Sequence, residues 1–192
     1  MLAEFLIGGA ILLATGERKP ASTDKPQPSE GPKPLYMENL PDVDPLSQGG
    51  NFSRTYDIDF EEVASSRGVP FALLKAHAIR ESSLKHTAYR QEPNGKASYG
   101  LMQILWWKNS NRFAAWGYPD DFIGDGSPLY EPLINIDIAA DIIIDNFKVH
   151  KNLRDAVNSY NTGRNEATRP APHNYVNDVL NYYSQLIGRK IG

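Results

Sequence analysis

The chain has 192 residues, of which 41% are hydrophobic, and its formal net charge is -3. This length allows one globular domain with an appendage, and the slight negative charge gives no reason to expect a nucleic-acid partner. The absence of cysteine excludes disulfides, thiolate metal sites, cysteine nucleophiles and an acylated cysteine anchor. The four histidines lack the spacing typical of metal ligands, so no metal site is predicted.

Residues 1–15 are almost wholly apolar, but they are fewer than the roughly 20 residues that a membrane-spanning helix needs. Glu4 stands where a secretory signal would carry Lys or Arg. We predict an anchor or docking segment, and three interpretations stay open. The segment is a membrane-surface or short membrane anchor, an atypical uncleaved signal, or a helix that docks onto a virion or secretion partner.

Residues 16–50 are rich in proline and polar residues. Such a stretch buries too little apolar surface to offset the entropy lost on ordering. We therefore predict an extended proline-rich linker over 16–50, followed by a folded domain over 51–192.

The first two predicted helices of that domain follow each other closely. Asp59 followed by Glu62 predicts a helix that starts with a capping box and stops at Gly68. Apolar residues at three- and four-residue spacing predict a second, mostly enclosed helix over residues 70–81. A carboxylate at the end of such a helix is partly desolvated, which raises the pKa of Glu81. A carboxyl group that keeps its proton near neutral pH can act as a general acid.

The rest of the chain predicts one small hairpin and several further helices. Pro93-Asn94-Gly95 is a strong turn signal and predicts a β-hairpin with Tyr89 and Tyr99 at its edges. A helix-like stretch then runs to Trp116, and residues 117–132 form a loop. Apolar periodicity predicts further helices over residues 134–149, 153–160 and 174–187. The fold class predicted is therefore mainly α.

Five short motifs carry a family resemblance: Glu81-Ser82, Gly100-Leu101-Met102-Gln103-Ile104, Asn135-Ile136, Tyr160-Asn161-Thr162-Gly163 and Tyr175-Val176. In this order and spacing they resemble the soluble lytic transglycosylase (SLT) domain over about residues 60–187. The resemblance implies a lysozyme-like α+β fold, in which a helical bundle carries a small β-hairpin or loop over a cleft.

The resemblance also implies an activity on peptidoglycan glycan strands. The family cleaves the β-1,4 bond between N-acetylmuramic acid and N-acetylglucosamine, and the muramoyl 6-hydroxyl attacks the anomeric carbon to leave a 1,6-anhydro product. Glu81 matches the single catalytic acid/base, and no cofactor is implied. The implied location is the cell envelope or periplasm, with the enzyme held to a membrane or carried on a phage particle.

Side-chain chemistry suggests partners for the sugar around the motif loop. The Gln103 amide can both donate to and accept from an N-acetyl group. Met102 suits the lining of a sugar subsite, and Gly100 allows close approach of the backbone to a glycan.

Four further motif positions complete the predicted binding site. Tyr160 is expected near Glu81, where its phenol can orient the carboxyl. Asn161 can hold a turn or contact sugar, and Tyr99 can stack on a pyranose face. Ser82 belongs to the motif, although such a serine is more often a structural residue at a helix end.

Alternatives exist at the level of activity and of single residues. The activity alternatives are a goose-type-like muramidase, which uses water as nucleophile, and a catalytically idle peptidoglycan-binding module. The alternatives for single residues are that Glu81 is ion-paired with Arg80 or Arg90, and that Met102 and Tyr160 are core residues. Asn135 is predicted to be only a helix cap. Glu92 is the fallback for a second carboxylate, which the usual glycosidase pair requires.

Overall fold

The computed structural model describes residues 37–93, 95–109, 111–112, 116–117, 128–163 and 174–191. Within them the chain forms five α-helices and three short strands. The helices are α1 Asp57–Arg67, α2 Phe71–Ser82, α3 Pro132–His150, α4 Leu153–Thr162 and α5 Tyr175–Leu186. The strands are β1 Tyr89–Gln91, β2 Ala97–Tyr99 and β3 Ile104–Leu105. The predicted mainly α fold is thereby confirmed.

Several sequence predictions fall outside the described residues. These are the apolar segment 1–15, most of the predicted linker, residues 110 and 113–115 of the helix-like stretch before Trp116, and residues 118–127 and 164–173. Among the helices that are described, none is long and apolar enough to cross a membrane.

Helix α2 lies at the centre of the fold. All its residues from Phe71 to Ile79 are buried, and it packs mainly against α5 and α1. Helix α3 packs against α1 and α4. The last turn of α2 is therefore held in place by helices from both ends of the domain.

The start of α1 differs from the prediction. The helix begins at Asp57 after Tyr56, and no side chain caps it, so Asp59 lies inside the first turn and the predicted capping box is wrong. The acidic residues Asp57 and Asp59 still suit the positive end of the helix dipole. The predicted stop is confirmed, because Gly68 takes a left-handed conformation with φ 67°.

Residues 37–50 are packed against the helices, whereas the sequence predicted an extended linker as far as residue 50. Asp42 accepts hydrogen bonds from the backbone N–H groups of Phe71 (2.9 Å) and Ala72 (3.0 Å), and so caps α2. Tyr183 donates its hydroxyl to the Pro41 carbonyl. Composition failed here because a few contacts to distant helices hold the segment, namely these polar contacts and the burial of Met37 in the core.

The three strands form one antiparallel sheet in the order β1-β2-β3. Tyr89 pairs with Tyr99, as the predicted hairpin requires. The third strand was not predicted, and it pairs Ile104 with Tyr99. This sheet connects α2, which ends at Ser82, to the motif loop at residues 100–103.

Candidate active site

Glu81 lies in the last turn of α2, which ends at Ser82 and is followed by Ser83 in a left-handed conformation. The residue is half-buried. Its Oε1 atom accepts a hydrogen bond of 2.6 Å from the Tyr175 hydroxyl, at the first position of α5. The carboxyl therefore sits where α2 and α5 pack together.

Burial raises the pKa of Glu81 above its ordinary value, as its place at the end of an apolar helix predicts. The hydrogen bond from Tyr175 and the charges of Arg90 and Arg80 lower the pKa, but burial outweighs them. The charge of Glu92 raises it further. The environment thus favours a carboxyl group that retains its proton.

Neither nearby arginine is bonded to Glu81. Arg80 pairs with Asp178 at 2.9 Å, and Arg90 pairs with Glu92 at 2.9 Å. The alternative of an ion-paired helix-end carboxylate at Glu81 is therefore wrong for both candidate partners. A neutral phenol, not a cation, holds the Glu81 carboxyl.

The phenol that bonds Glu81 is Tyr175, not Tyr160. Tyr160 donates its hydroxyl to the backbone carbonyl of Met102 at 2.9 Å, so its single proton is used there. It still lies near the acid, because the charge of Glu81 contributes to the raised pKa of Tyr160. The predicted orienting role of Tyr160 is therefore corrected, and Tyr175, which the sequence had marked only as part of a motif, is the orienting residue that was missed.

The motif loop is held from inside the protein by Asn135. This residue is fully buried on α3, its Oδ1 accepts from the Met102 N–H (2.7 Å), and its Nδ2 donates to the Tyr99 (3.0 Å) and Leu129 (2.9 Å) carbonyls. Since α3 begins at Pro132 after Glu131, Asn135 is not the helix cap that was predicted. Its three hydrogen bonds fix the loop relative to α3.

Gly100 is needed for contacts within the protein. It has φ 77°, and a Cβ there would collide with the Leu129 carbonyl and the Asn135 amide. The predicted close approach to a glycan is corrected to a close approach to the chain's own backbone.

Met102 and Gln103 also face inward. The Met102 side chain is fully buried, so it is a core residue and does not line a sugar subsite. The Gln103 amide donates to the Gly100 carbonyl (3.0 Å) and the Ala88 carbonyl (3.3 Å), and it accepts from the Ser98 hydroxyl (3.1 Å). Both ends of this amide are already bonded, so the predicted N-acetyl contact is corrected to a clamp between loop and sheet.

Residues 59–179 match the family described as Transglycosylase SLT domain. The chain belongs to this SLT family. It is 24% identical over 127 residues to Protein IpgF of Shigella flexneri, a match that covers 66% of this chain and 80% of that protein. Protein IpgF of Shigella sonnei matches with the same identity and coverage. Family membership supports the predicted enzyme class, a peptidoglycan lytic transglycosylase.

Two solved structures share the fold of this SLT domain. One is the 70 kDa soluble lytic transglycosylase SLT70 from Escherichia coli, with a TM-score of 0.55 and 23% identity over 72% of this chain. The other is an inactive glutamate-to-glutamine mutant of lytic transglycosylase Slt from Pseudomonas aeruginosa, with a TM-score of 0.54 and 20% identity over 73% of this chain. The match spans a quarter of each of those longer chains.

The SLT domain carries a row of tyrosines on its small sheet. Tyr99 makes edge-to-face contacts with Tyr89 (5.4 Å between ring centroids) and with Tyr130 (5.7 Å). Tyr89 is 55% exposed, and Tyr99 is half-buried. Tyr130 was not singled out from the sequence, because it enters the row from the short turn Pro128–Tyr130 ahead of α3.

A cavity of about 310 Å³ opens beside the motif loop, and Gln103, Tyr160 and Asn161 form part of its wall. Asn161 is exposed. The Ser82 hydroxyl, by contrast, donates to the Ala78 carbonyl (3.2 Å) and accepts from the Lys85 N–H (3.2 Å), which is the structural role at a helix end. In the described part of the chain, no three His, Asp or Glu side chains are grouped as metal ligands.

Proposed function

We propose that this SLT domain cleaves the β-1,4 bond between N-acetylmuramic acid and N-acetylglucosamine in peptidoglycan, with Glu81 as its single acid/base. The observation that carries the proposal is the state of the Glu81 carboxyl. Burial raises its pKa, and its described hydrogen-bond partner is a neutral phenol. A glutamate is also the residue exchanged in the inactive Slt mutant that shares this fold.

The proposed reaction needs one carboxyl group. Protonated Glu81 gives its proton to the glycosidic oxygen as the bond from that oxygen to the muramoyl anomeric carbon breaks. The resulting Glu81 carboxylate then accepts the proton of the muramoyl 6-hydroxyl, whose oxygen forms the new bond to the anomeric carbon. The products are a free 4-hydroxyl and a 1,6-anhydro ring, and Glu81 regains its proton.

Glu92 is poorly placed to act as a second catalytic carboxylate. Its Oε1 atom accepts from both Nε and Nη2 of Arg90 at 2.9 Å. The Ser98 hydroxyl oxygen, whose proton is donated to Gln103, lies 3.1 Å from the same Oε1 atom. A carboxylate engaged in this way is a weak nucleophile or base, so the arrangement favours the 6-hydroxyl over an enzyme-activated water. A goose-type-like muramidase would need Glu92, or another base, to be freed.

Product analysis tests this proposal most directly. Purified sacculi are digested with the full chain, and the muropeptides are separated and weighed by mass spectrometry. We expect 1,6-anhydro-muramoyl ends, which are lighter by one water than reducing ends. Reducing ends alone would replace the transglycosylase by a muramidase.

The matched control for that digest is Glu81→Gln, which keeps the shape of the side chain and removes the transferable proton. Its activity should fall by about a thousandfold, as expected for loss of a general acid/base. Equal activity in the variant and the wild type would contradict the role of Glu81. A folded wild-type protein that binds sacculi and releases nothing would be an idle binding module.

The tyrosine row is proposed to carry the glycan, because exposed aromatic faces suit the apolar faces of pyranose rings.

The site acts at the cell envelope, and residues 1–15 are proposed to hold it to a membrane or to a virion or secretion partner. Flotation of the full chain with liposomes, against a chain lacking residues 2–15, tests the membrane option. Equal flotation of both chains would rule out an anchor in this segment.

A further inference from the structure

A histidine lies one helical turn before Glu81, inside the core of α2. His77 is fully buried, and its ring is tilted against the rings of Tyr160 (4.6 Å between centroids) and Tyr175 (6.3 Å). Its Nδ1 atom is 3.2 Å from the Tyr175 hydroxyl oxygen. The same hydroxyl is 2.6 Å from Glu81, so the three side chains form one hydrogen-bonded chain.

Counting protons relates the direction of this chain to the tautomer of His77. A tyrosine hydroxyl has one proton, and that of Tyr175 is donated to Glu81 Oε1. In that arrangement the Tyr175 oxygen is free to accept from His77, which requires the tautomer with its proton on Nδ1. Burial lowers the pKa of His77 to about 3, so the ring is neutral and carries a single N–H at any pH where a cell wall enzyme works.

The other ring nitrogen makes a purely structural role hard to accept. His77 Nε2 is buried and has no hydrogen-bond partner in the described part of the chain, and a buried polar atom without a partner destabilises a fold. A leucine or isoleucine would fill the same space without that cost. The hydrogen bond between His77 and Tyr175 is the interaction that offsets the cost of the unpartnered Nε2 atom.

We propose that His77 is a positioning residue that acts through Tyr175 to keep the exchangeable proton of Glu81 on Oε2. The proposal rests on the proposed role of Glu81 as acid/base. With His77 donating to it, the Tyr175 hydroxyl has to donate to Oε1, so the proton that Glu81 transfers stays on the other oxygen. Without His77, the Tyr175 oxygen is an open acceptor, and protonated Glu81 can turn its O–H toward Tyr175 and away from the substrate.

Other charged groups surround the two ends of this chain. Arg80, whose guanidinium lies 5.3 Å from the centre of the Tyr175 ring, is paired with Asp178. Arg90 and Glu92 face Glu81 from the side of the sheet and are paired with each other. Tyr160 faces both His77 and Glu81, and it donates to Met102. None of these ion pairs and hydrogen bonds includes His77, so we expect a change in Glu81 on exchange of His77 to come from the lost N–H.

Two substitutions of His77 separate donation from packing. His77→Phe keeps an aromatic ring and removes the donor, whereas His77→Asn puts an amide N–H near the position of Nδ1. We expect His77→Phe to lower kcat on sacculi about tenfold, the size of one hydrogen bond, with KM nearly unchanged. The basic limb of its pH profile should move to higher pH, because the Glu81 carboxylate loses an aligned donor. His77→Asn should recover most of kcat and the original limb.

Phe60→Leu, a fully buried change on α1, is the control for general destabilisation and should leave the pH profile unmoved. If folded His77→Phe kept the kcat and the pH profile of the wild type, the proposed positioning role of His77 would be overturned, while the proposed function would stand. A folded His77→Asn that is no better than His77→Phe would overturn it equally.

One measurement on the wild-type protein needs neither a variant nor activity. Nitrogen NMR of the ring should show the proton of His77 on Nδ1, and a proton on Nε2 would overturn the proposal even if the protein proved not to cleave peptidoglycan. Conversely, an Nδ1 proton in a protein that does not act on sacculi would leave the hydrogen-bonded chain intact and refute the proposed function alone.

Discussion

Two buried regions of this molecule each contain a carboxyl group, and they compensate it in different ways. On α3, Asp137 is 1% exposed and receives both Nε (2.6 Å) and Nη2 (2.7 Å) of Arg67 from α1, together with the indole N–H of Trp116 (3.0 Å). On α2, Glu81 receives one phenol. The first group is matched by a permanent cation and the second by a neutral donor.

This difference teaches which carboxyl is available for chemistry. A carboxylate fixed bidentately by arginine has both oxygens occupied. A desolvated carboxyl with a neutral partner is favoured in its protonated form and keeps one oxygen for transfer. The Asp137 region therefore holds α1 to α3, and the Glu81 region is suited to exchange a proton.

The largest effect on stability is expected from removing the charge of Asp137, which pairs with Arg67. Asp137→Asn leaves the half-buried Arg67 with Asp141, at 3.0 Å, as its remaining carboxylate, and it turns an amide N–H toward a donor. We expect the free energy of unfolding, measured by chemical denaturation, to fall by about 3 kcal/mol. Activity per folded molecule should stay within about twofold, because the site is independent of Glu81. A loss of activity without a loss of stability would contradict the claim that Asp137 stabilises the fold and takes no part in the chemistry.

The next effect concerns the two phenols. Tyr175→Phe removes the donor to Glu81, so we expect kcat on sacculi to fall by roughly 10- to 100-fold, the range for a hydrogen bond to a charged group. The basic limb of the pH profile should also move to higher pH, because the Glu81 carboxylate loses its donor.

Tyr160→Phe is the matched variant, since it loses only a neutral bond to the Met102 carbonyl. Its kcat should fall by about threefold with no movement of the limb. The reverse order of the two variants would restore Tyr160 as the residue that orients Glu81.

The smallest effect is on the pH dependence of stability. Burial raises the pKa of Glu81 in the folded protein above its unfolded value. The stabilisation by the neutral carboxyl is therefore complete below the unfolded-state pKa and is lost as pH rises through the folded-state pKa. Glu81→Gln should be more stable than wild type at pH 8 by on the order of 1 kcal/mol, and the difference should shrink in acid. If the difference in the free energy of unfolding between the two proteins grew in acid, the raised pKa of Glu81 would be contradicted.

Sequence patterns predicted the features that depend on neighbouring residues. Gly68 ends its helix, Tyr89 pairs with Tyr99, and the apolar face of α2 places Glu81 in a desolvated turn. The SLT family was also predicted correctly from the motifs and their order.

Features that depend on distant contacts were not predicted. Tyr175 reaches Glu81 across 94 positions, so its partner is set by how α5 packs on α2, which no local pattern records. Asn135 was wrongly predicted to be a cap. Its three hydrogen bonds go to a loop some thirty residues upstream and to Leu129, and no local pattern shows such partners. The sugar contacts expected of Met102 and Gln103 were wrong for the same reason, since burial by other segments decides what a side chain can touch.

The central claim is that burial raises the pKa of the Glu81 carboxyl, whose described hydrogen-bond partner is a phenol and not a cation. Carbon NMR of the labelled Glu81 carboxyl, followed through a pH titration of the folded wild-type protein, measures this directly. The account predicts a pKa above the ordinary glutamate value of 4.5. A titration at or below that value would show a carboxylate stabilised in its charged form, and would contradict the assignment of Glu81 as the general acid.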